Sequence, residues 1–162
     1  LFLCLFFLYR CILIFKNYIM NSSIQVPSWF KVVAVIAIIW NLLGIMAYLG
    51  QAFMTPEMMA ALPQEQQDAF ANRPSWVTAV FALAVFGGFL GSLLLLLKKN
   101  AAKIVLLISL LSIIANDIYN FIIIDSISMF GMSALYMQIF VLVFAVYLLI
   151  LFNQAKSKGW IN

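Results

Sequence analysis

Histidine is absent from all 162 residues, and the two cysteines, Cys4 and Cys11, both lie near the start. Without an imidazole, neither a Ser–His–Asp nor a Cys–His mechanism can be built. Without a thiol or imidazole cluster, the usual zinc and iron ligand sets are missing. No Walker loop or dinucleotide fingerprint occurs. The five acidic residues are scattered and form no close carboxylate set for general acid–base work. These absences predict no enzyme, no catalytic residue, no cofactor and no metal site. A formal charge of +4 could suggest a nucleic-acid partner, but no basic surface interleaved with aromatics is present, so none is expected.

What the chain does have is hydrocarbon. Four apolar stretches, roughly Val32 to Gly50, Trp76 to Leu97, Ile104 to Ile124 and Ala134 to Phe152, each approach the roughly 20 residues a helix needs to cross a bilayer. Lipid offers no partner to a backbone N–H or C=O, so each stretch must satisfy its own hydrogen bonds as a helix. The expected fold is all-α: a polytopic four-helix transmembrane bundle whose first partner is the lipid bilayer.

Charge placement predicts orientation. Lys31 precedes the first span, Lys98, Lys99 and Lys103 fill the turn between the second and third, and Lys156 and Lys158 follow the fourth. Lysines in short loops are retained on the cytoplasmic side, which places both termini in the cytoplasm and the protein in the cytoplasmic membrane. The other side receives the long loop Gln51 to Ser75, with Glu57, Glu65 and Asp68 against Arg73, and the short connection around Asp125.

Residues 1–19 stand apart. They are apolar, rich in residues that A/T-rich DNA encodes by chance, and end just before Met20. They read as upstream sequence translated from a misplaced start, with an extra membrane or interfacial helix as the alternative. Residues 20–162 then form one transmembrane domain. Arg10 and Lys16 sit in the wrong places for a signal peptide, and no small-residue cleavage site follows.

In the first span Ala34, Ala37, Asn41, Gly44, Tyr48 and Gln51 recur at helical spacing and so share one face. Small residues there admit a neighbouring backbone, and Asn41 should bond across to another helix. The second span places Gly87 and Gly91 in GxxxG spacing, with Ala84, Gly88 and Ser92 beside them, as expected of a close-packing helix. In the third, Ser109, Ser112, Asn116 and Asn120 form a polar stripe, flanked by Asp117 on one edge and Tyr119 on the other. Intramembrane carboxyls are rare and face a bundle interior or a water-filled cavity. Asp117 is read either as a protonatable functional group or as a hydrated carboxylate in a packing network.

Depth brings these residues together. With cytoplasmic termini, Tyr48, Gln51, Asn116, Asp117, Asn120 and, from the fourth span, Gln138 all fall in the outer half of the membrane. They predict either a polar cavity opening away from the cytoplasm or a set of interhelical hydrogen bonds with no cavity. In the outer loop, Thr55-Pro56-Glu57 and Pro63-Gln64-Glu65 read as helix starts, with Pro in the first turn and an acid after it. Met58, Met59, Leu62 and Phe70 give these short helices apolar faces, suited to a lid or to an interfacial anchor.

Trp40-Asn41 with Gly44 and Tyr48, Pro74-Ser75-Trp76, the Ala84 to Gly91 run and the terminal Gly159-Trp160 resemble a family of small bacterial four-helix membrane proteins commonly labelled "sugar transporter". The resemblance covers about Lys31 to Ile161. It implies a four-helix bundle and, through its label, a sugar-like solute, and it transfers no binding residue. The expected function is a small transporter-like protein that binds or moves a polar solute, as a homo-oligomer because four helices make a thin pathway. The competing expectation is an accessory or structural membrane protein that binds a partner complex.

Overall fold

The computed structural model describes residues 25–161; the reading of residues 1–19, the start at Met20 and both cysteines lie outside them. Among the described residues there is no strand, and the helices are α1 (Ser28–Ala52), α2 (Pro56–Ala60), α3 (Gln64–Ala71), α4 (Ser75–Leu96), α5 (Ala102–Ile118), α6 (Ser126–Phe130) and α7 (Met132–Ser157). A π-helical turn, Tyr119–Ile123, extends α5. Among the described residues, four helices are long and apolar enough to cross a membrane: α1, α4, α5 with its π-helical turn, and α7. This is the architecture of a multi-pass membrane protein. Each span runs a few residues beyond its apolar core, because polar residues such as Ser28 and Ser157 continue the helix past the hydrocarbon.

The spans are organised around α4. It packs along α1 and along α5, and α5 packs along α7, whereas the backbones of α1 and α7 scarcely approach each other. Glycines make the α4 contacts possible. A Cβ on Gly87 would stand 3.2 Å from Ser109 Cβ, one on Gly91 would stand 2.7 Å from Leu106 Cδ2, and one on Gly44 would stand 3.2 Å from Val85 Cγ1. A Cβ on Gly88 would collide with Asn41 Oδ1. Removing the side chain is what lets each pair of backbones close, and dispersion over the closed interface replaces the hydrophobic drive that lipid cannot supply. Two hydrogen bonds clasp the same interfaces: Ser109 Oγ donates to Ala84 O at 2.7 Å, and Asn41 Nδ2 donates to Ser92 Oγ at 3.4 Å.

The lysine-bearing end of the bundle is solid. Phe30, Leu95, Ala102, Leu106, Leu151, Phe152 and Trp160 form one buried cluster there. Gly159, with φ 70°, turns the chain after α7. Trp160 N then donates to Ala155 O at 2.9 Å and Gly159 N to Lys156 O at 3.0 Å, a Schellman closure. This folds the Trp160 ring edge-on to Phe30 at 5.7 Å and to Trp29 at 5.8 Å, tying the end of α7 to the start of α1. The turn after α4 closes in the same way, with Lys98 in the left-handed conformation at φ 58°. There Lys99 N donates to Leu94 O at 2.9 Å.

At the opposite, loop end the helices diverge. Thr55 caps α2 by accepting from Met58 N at 3.3 Å. Hydrogen bonds from its own backbone amide and from Thr55 hold the exposed Glu57 carboxyl below its usual pKa. Asp125, left-handed at φ 50°, ends the third span. The connection expected there is itself a short helix, α6, which Gly131 at φ 74° separates from α7.

Candidate functional site

The divergence at the loop end encloses a cavity of about 810 Å³, walled by α1, α4, α5, α6 and α7 and covered by α3 and the residues after it. Its depth is set by Asn41. The Asn41 amide donates back to Ala37 O at 2.8 Å as well as to Ser92, so this side chain is held by protein contacts while bordering the cavity. Beneath it lies a void of only about 20 Å³, bounded by Gly88, Ser109 and Leu148, and below that the solid core begins.

Six of the polar residues singled out from the sequence border the cavity: Asn41, Gln51, Asn116, Asp117, Asn120 and Gln138. They come from three different spans, so only the fold makes them neighbours. The π-helical turn, closed by Ile124 N donating to Tyr119 O at 3.2 Å, lies within the α5 wall that carries Asn116, Asp117, Asn120 and Ile124. Wide turns of this kind are frequent at functional sites.

The two tyrosines are placed elsewhere. Tyr48 packs edge-on against Phe81 at 5.7 Å and Phe86 at 5.9 Å, on the α4 side of α1. Tyr119 is buried against Trp76, with ring centroids 5.5 Å apart. Neither borders the cavity. The close approach of α1 to α4 rotates Tyr48 into that interface, and the helix end at Trp76 claims Tyr119. Among the stripe serines, Ser109 clasps α4, and Ser112 donates to Ile108 O at 2.9 Å within its own helix. Gly44 and Ala84 serve both roles, packing between helices and bordering the cavity. Trp40 borders the cavity and packs on Phe140 at 5.1 Å.

Arg73 is the residue that sequence reasoning passed over as one loop charge among several. It reaches down from the chain after α3, donating through Nη1 to Gln51 Oε1 at 3.0 Å and through Nη2 to Asn116 Oδ1 at 3.5 Å. One guanidinium thus joins the loop to two spans at the cavity mouth. Burial lowers its pKa from the usual arginine value. Ala69 and Phe70 border the cavity from the same segment, and Gln66 Nε2 donates to Met129 O of α6 at 3.5 Å, so α3 lies across the opening.

Among the described residues, three buried polar atoms have no hydrogen-bond partner: Arg73 Nε, Ser126 Oγ and Gln138 Oε1. All three residues border this one cavity. Buried donors and acceptors left unmade cost about 1–3 kcal/mol each, which is why most are paired. Their collection around one space marks it as a place where polar matter belongs. Ser126 had no sequence signal, being one serine in a short connection. No protein-family model, curated protein or solved structure matches the chain.

Proposed function

We propose that this membrane protein binds a polar, hydroxyl-bearing solute such as a sugar in the loop-end cavity, as a step in moving it. The observation that carries this reading is the convergence on one cavity of amides from three spans, a carboxylate, a guanidinium and three unpartnered buried polar atoms. Neutral donors and acceptors of this kind replace the water around a hydroxyl-rich solute, while the apolar remainder of the wall excludes bulk solvent. The resemblance to proteins labelled sugar transporters points the same way. By the lysine bias, the cavity mouth faces away from the cytoplasm and the solid lysine end faces into it. Passage then requires the Asn41 floor and the core below it to open, which four helices can do only by rearranging or by pairing with further copies.

Uptake into proteoliposomes containing the purified chain, measured across a panel of monosaccharides, disaccharides and polyols, tests the reading. Accumulation of one class above empty vesicles supports it. A chain that binds and moves nothing while co-purifying with one membrane complex would assign it instead to the accessory proteins.

A further inference from the structure

Among the described residues, the cavity has an unclosed side. Toward the lysine end, α1 and α7 are bridged by aromatic rings, Trp40 packing on Phe140 at 5.1 Å and on Phe144 at 6.2 Å. One turn nearer the loop end, the positions that continue these faces are Leu43 on α1 and Met137 on α7. Both border the cavity, yet Leu43 is 60% exposed and Met137 is 56% exposed. Among the described residues no aromatic pair bridges α1 and α7 there, and the two backbones scarcely approach. In a bilayer this opening faces hydrocarbon. At the mouth, Arg73 joins Gln51 and Asn116 by hydrogen bonds. At about 810 Å³ the cavity lies in the upper part of the range of roughly 300–1,000 Å³ for drug-sized ligands, which is generous for a lone hexose.

We propose that the ligand is an amphiphile. Its hydroxyl-rich head occupies the polar end of the cavity, and its apolar tail leaves between Leu43 and Met137 into the lipid. This rests on the reading that the cavity binds a polar solute and adds how that solute enters. A water-borne sugar has no use for a hydrocarbon-facing opening, whereas a membrane-dissolved glycoside can slide in sideways without its tail ever meeting water.

The test uses the full chain in phosphatidylcholine nanodiscs and a dodecyl glucoside carrying a photoreactive diazirine in its chain. Labelling is expected on α1 and α7 around Leu43 and Met137, suppressed by unlabelled dodecyl glucoside. Leu43→Trp and Met137→Trp, which fill the gap from lipid-exposed positions and leave the core alone, should each lower labelling roughly tenfold, equivalent to about 1.4 kcal/mol of binding. Leu42→Trp, one residue away and 47% exposed but outside the cavity wall, should label as the unchanged protein does. Equal competition by dodecylphosphocholine would reduce the gap to an ordinary lipid groove and overturn the proposal, as would undiminished labelling of both gap variants. Competition by glucose as strong as that by dodecyl glucoside would overturn it while leaving solute binding intact. Failure of both sugars to compete would remove the solute reading as well.

Discussion

Gly88 and Asn41 occupy one another's space: a Cβ on the glycine would run into the carboxamide oxygen of the asparagine. This contact sets the α1–α4 approach and, with it, the floor of the cavity, since Asn41 is both a packing residue and a wall residue. Overpacking a close interface costs about 1–3 kcal/mol. Gly88→Ala should therefore destabilise the bundle by that amount, and combining it with Asn41→Ala should recover part of the loss. Thermal unfolding of the two single variants and the double variant measures the coupling; strictly additive effects would show that the two residues do not share this space.

Arg73 joins Gln51 and Asn116 with two separate nitrogens. Arg73→Lys keeps a positive charge but cannot hold two divergent acceptors with one ammonium. Hydrogen exchange across α3 should accelerate to nearly the same degree in Arg73→Lys as in Arg73→Ala, and solute binding should weaken in both. Protection unchanged by Arg73→Ala would mean that α3 is held over the cavity by its other contacts alone.

Asp117 is the carboxylate on the cavity wall. Asp117→Asn preserves size and hydrogen bonding, so insertion and thermal stability should stay within about 0.5 kcal/mol, while uptake should fall if the carboxylate holds the solute or a coupling proton. Asp117→Leu should lose binding, because an apolar side chain replaces a polar group on the cavity wall. Normal, pH-dependent uptake by Asp117→Asn would rule out Asp117 as a coupling group.

Lys98 holds a left-handed conformation that glycine adopts freely. Such a conformation costs an L-residue about 1–2 kcal/mol, so Lys98→Gly should raise the unfolding temperature, whereas Gly159→Ala, at φ 70°, should lower it. Opposite shifts in the two variants are the expected result, and a loss of stability in Lys98→Gly would show that the lysine side chain matters more than its backbone.

Orientation is open to a direct measurement. Reporter fusions after Trp160 and within Gln64 to Asp68 should report cytoplasmic and external positions respectively, since the lysines lie on the Trp160 side. The same location for both would overturn the four-span arrangement.

The four apolar spans among the described residues and the two short helices after Thr55 and Pro63 were legible in the sequence because their causes are local. A run of apolar residues must form a helix in lipid, and a proline with an acid soon after it favours a helix start through local geometry and charge. Helical spacing and depth were also enough to single out Asn41, Gln51, Asn116, Asp117, Asn120 and Gln138, which the fold brings to one cavity. Rotation about each helix axis was decided by tertiary structure. Tyr48 and Tyr119 have the chemistry of a binding wall, but packing at the Gly88–Asn41 contact and at Trp76 turned them into interfaces. The parts taken by Arg73 and Ser126 depend on segments folding back over the bundle, an event with no periodicity to announce it. The gap between α1 and α7 was likewise invisible: Leu43 and Met137 look like any lipid-facing residues, and only the divergence of two helices far apart in the chain makes them the sides of an opening.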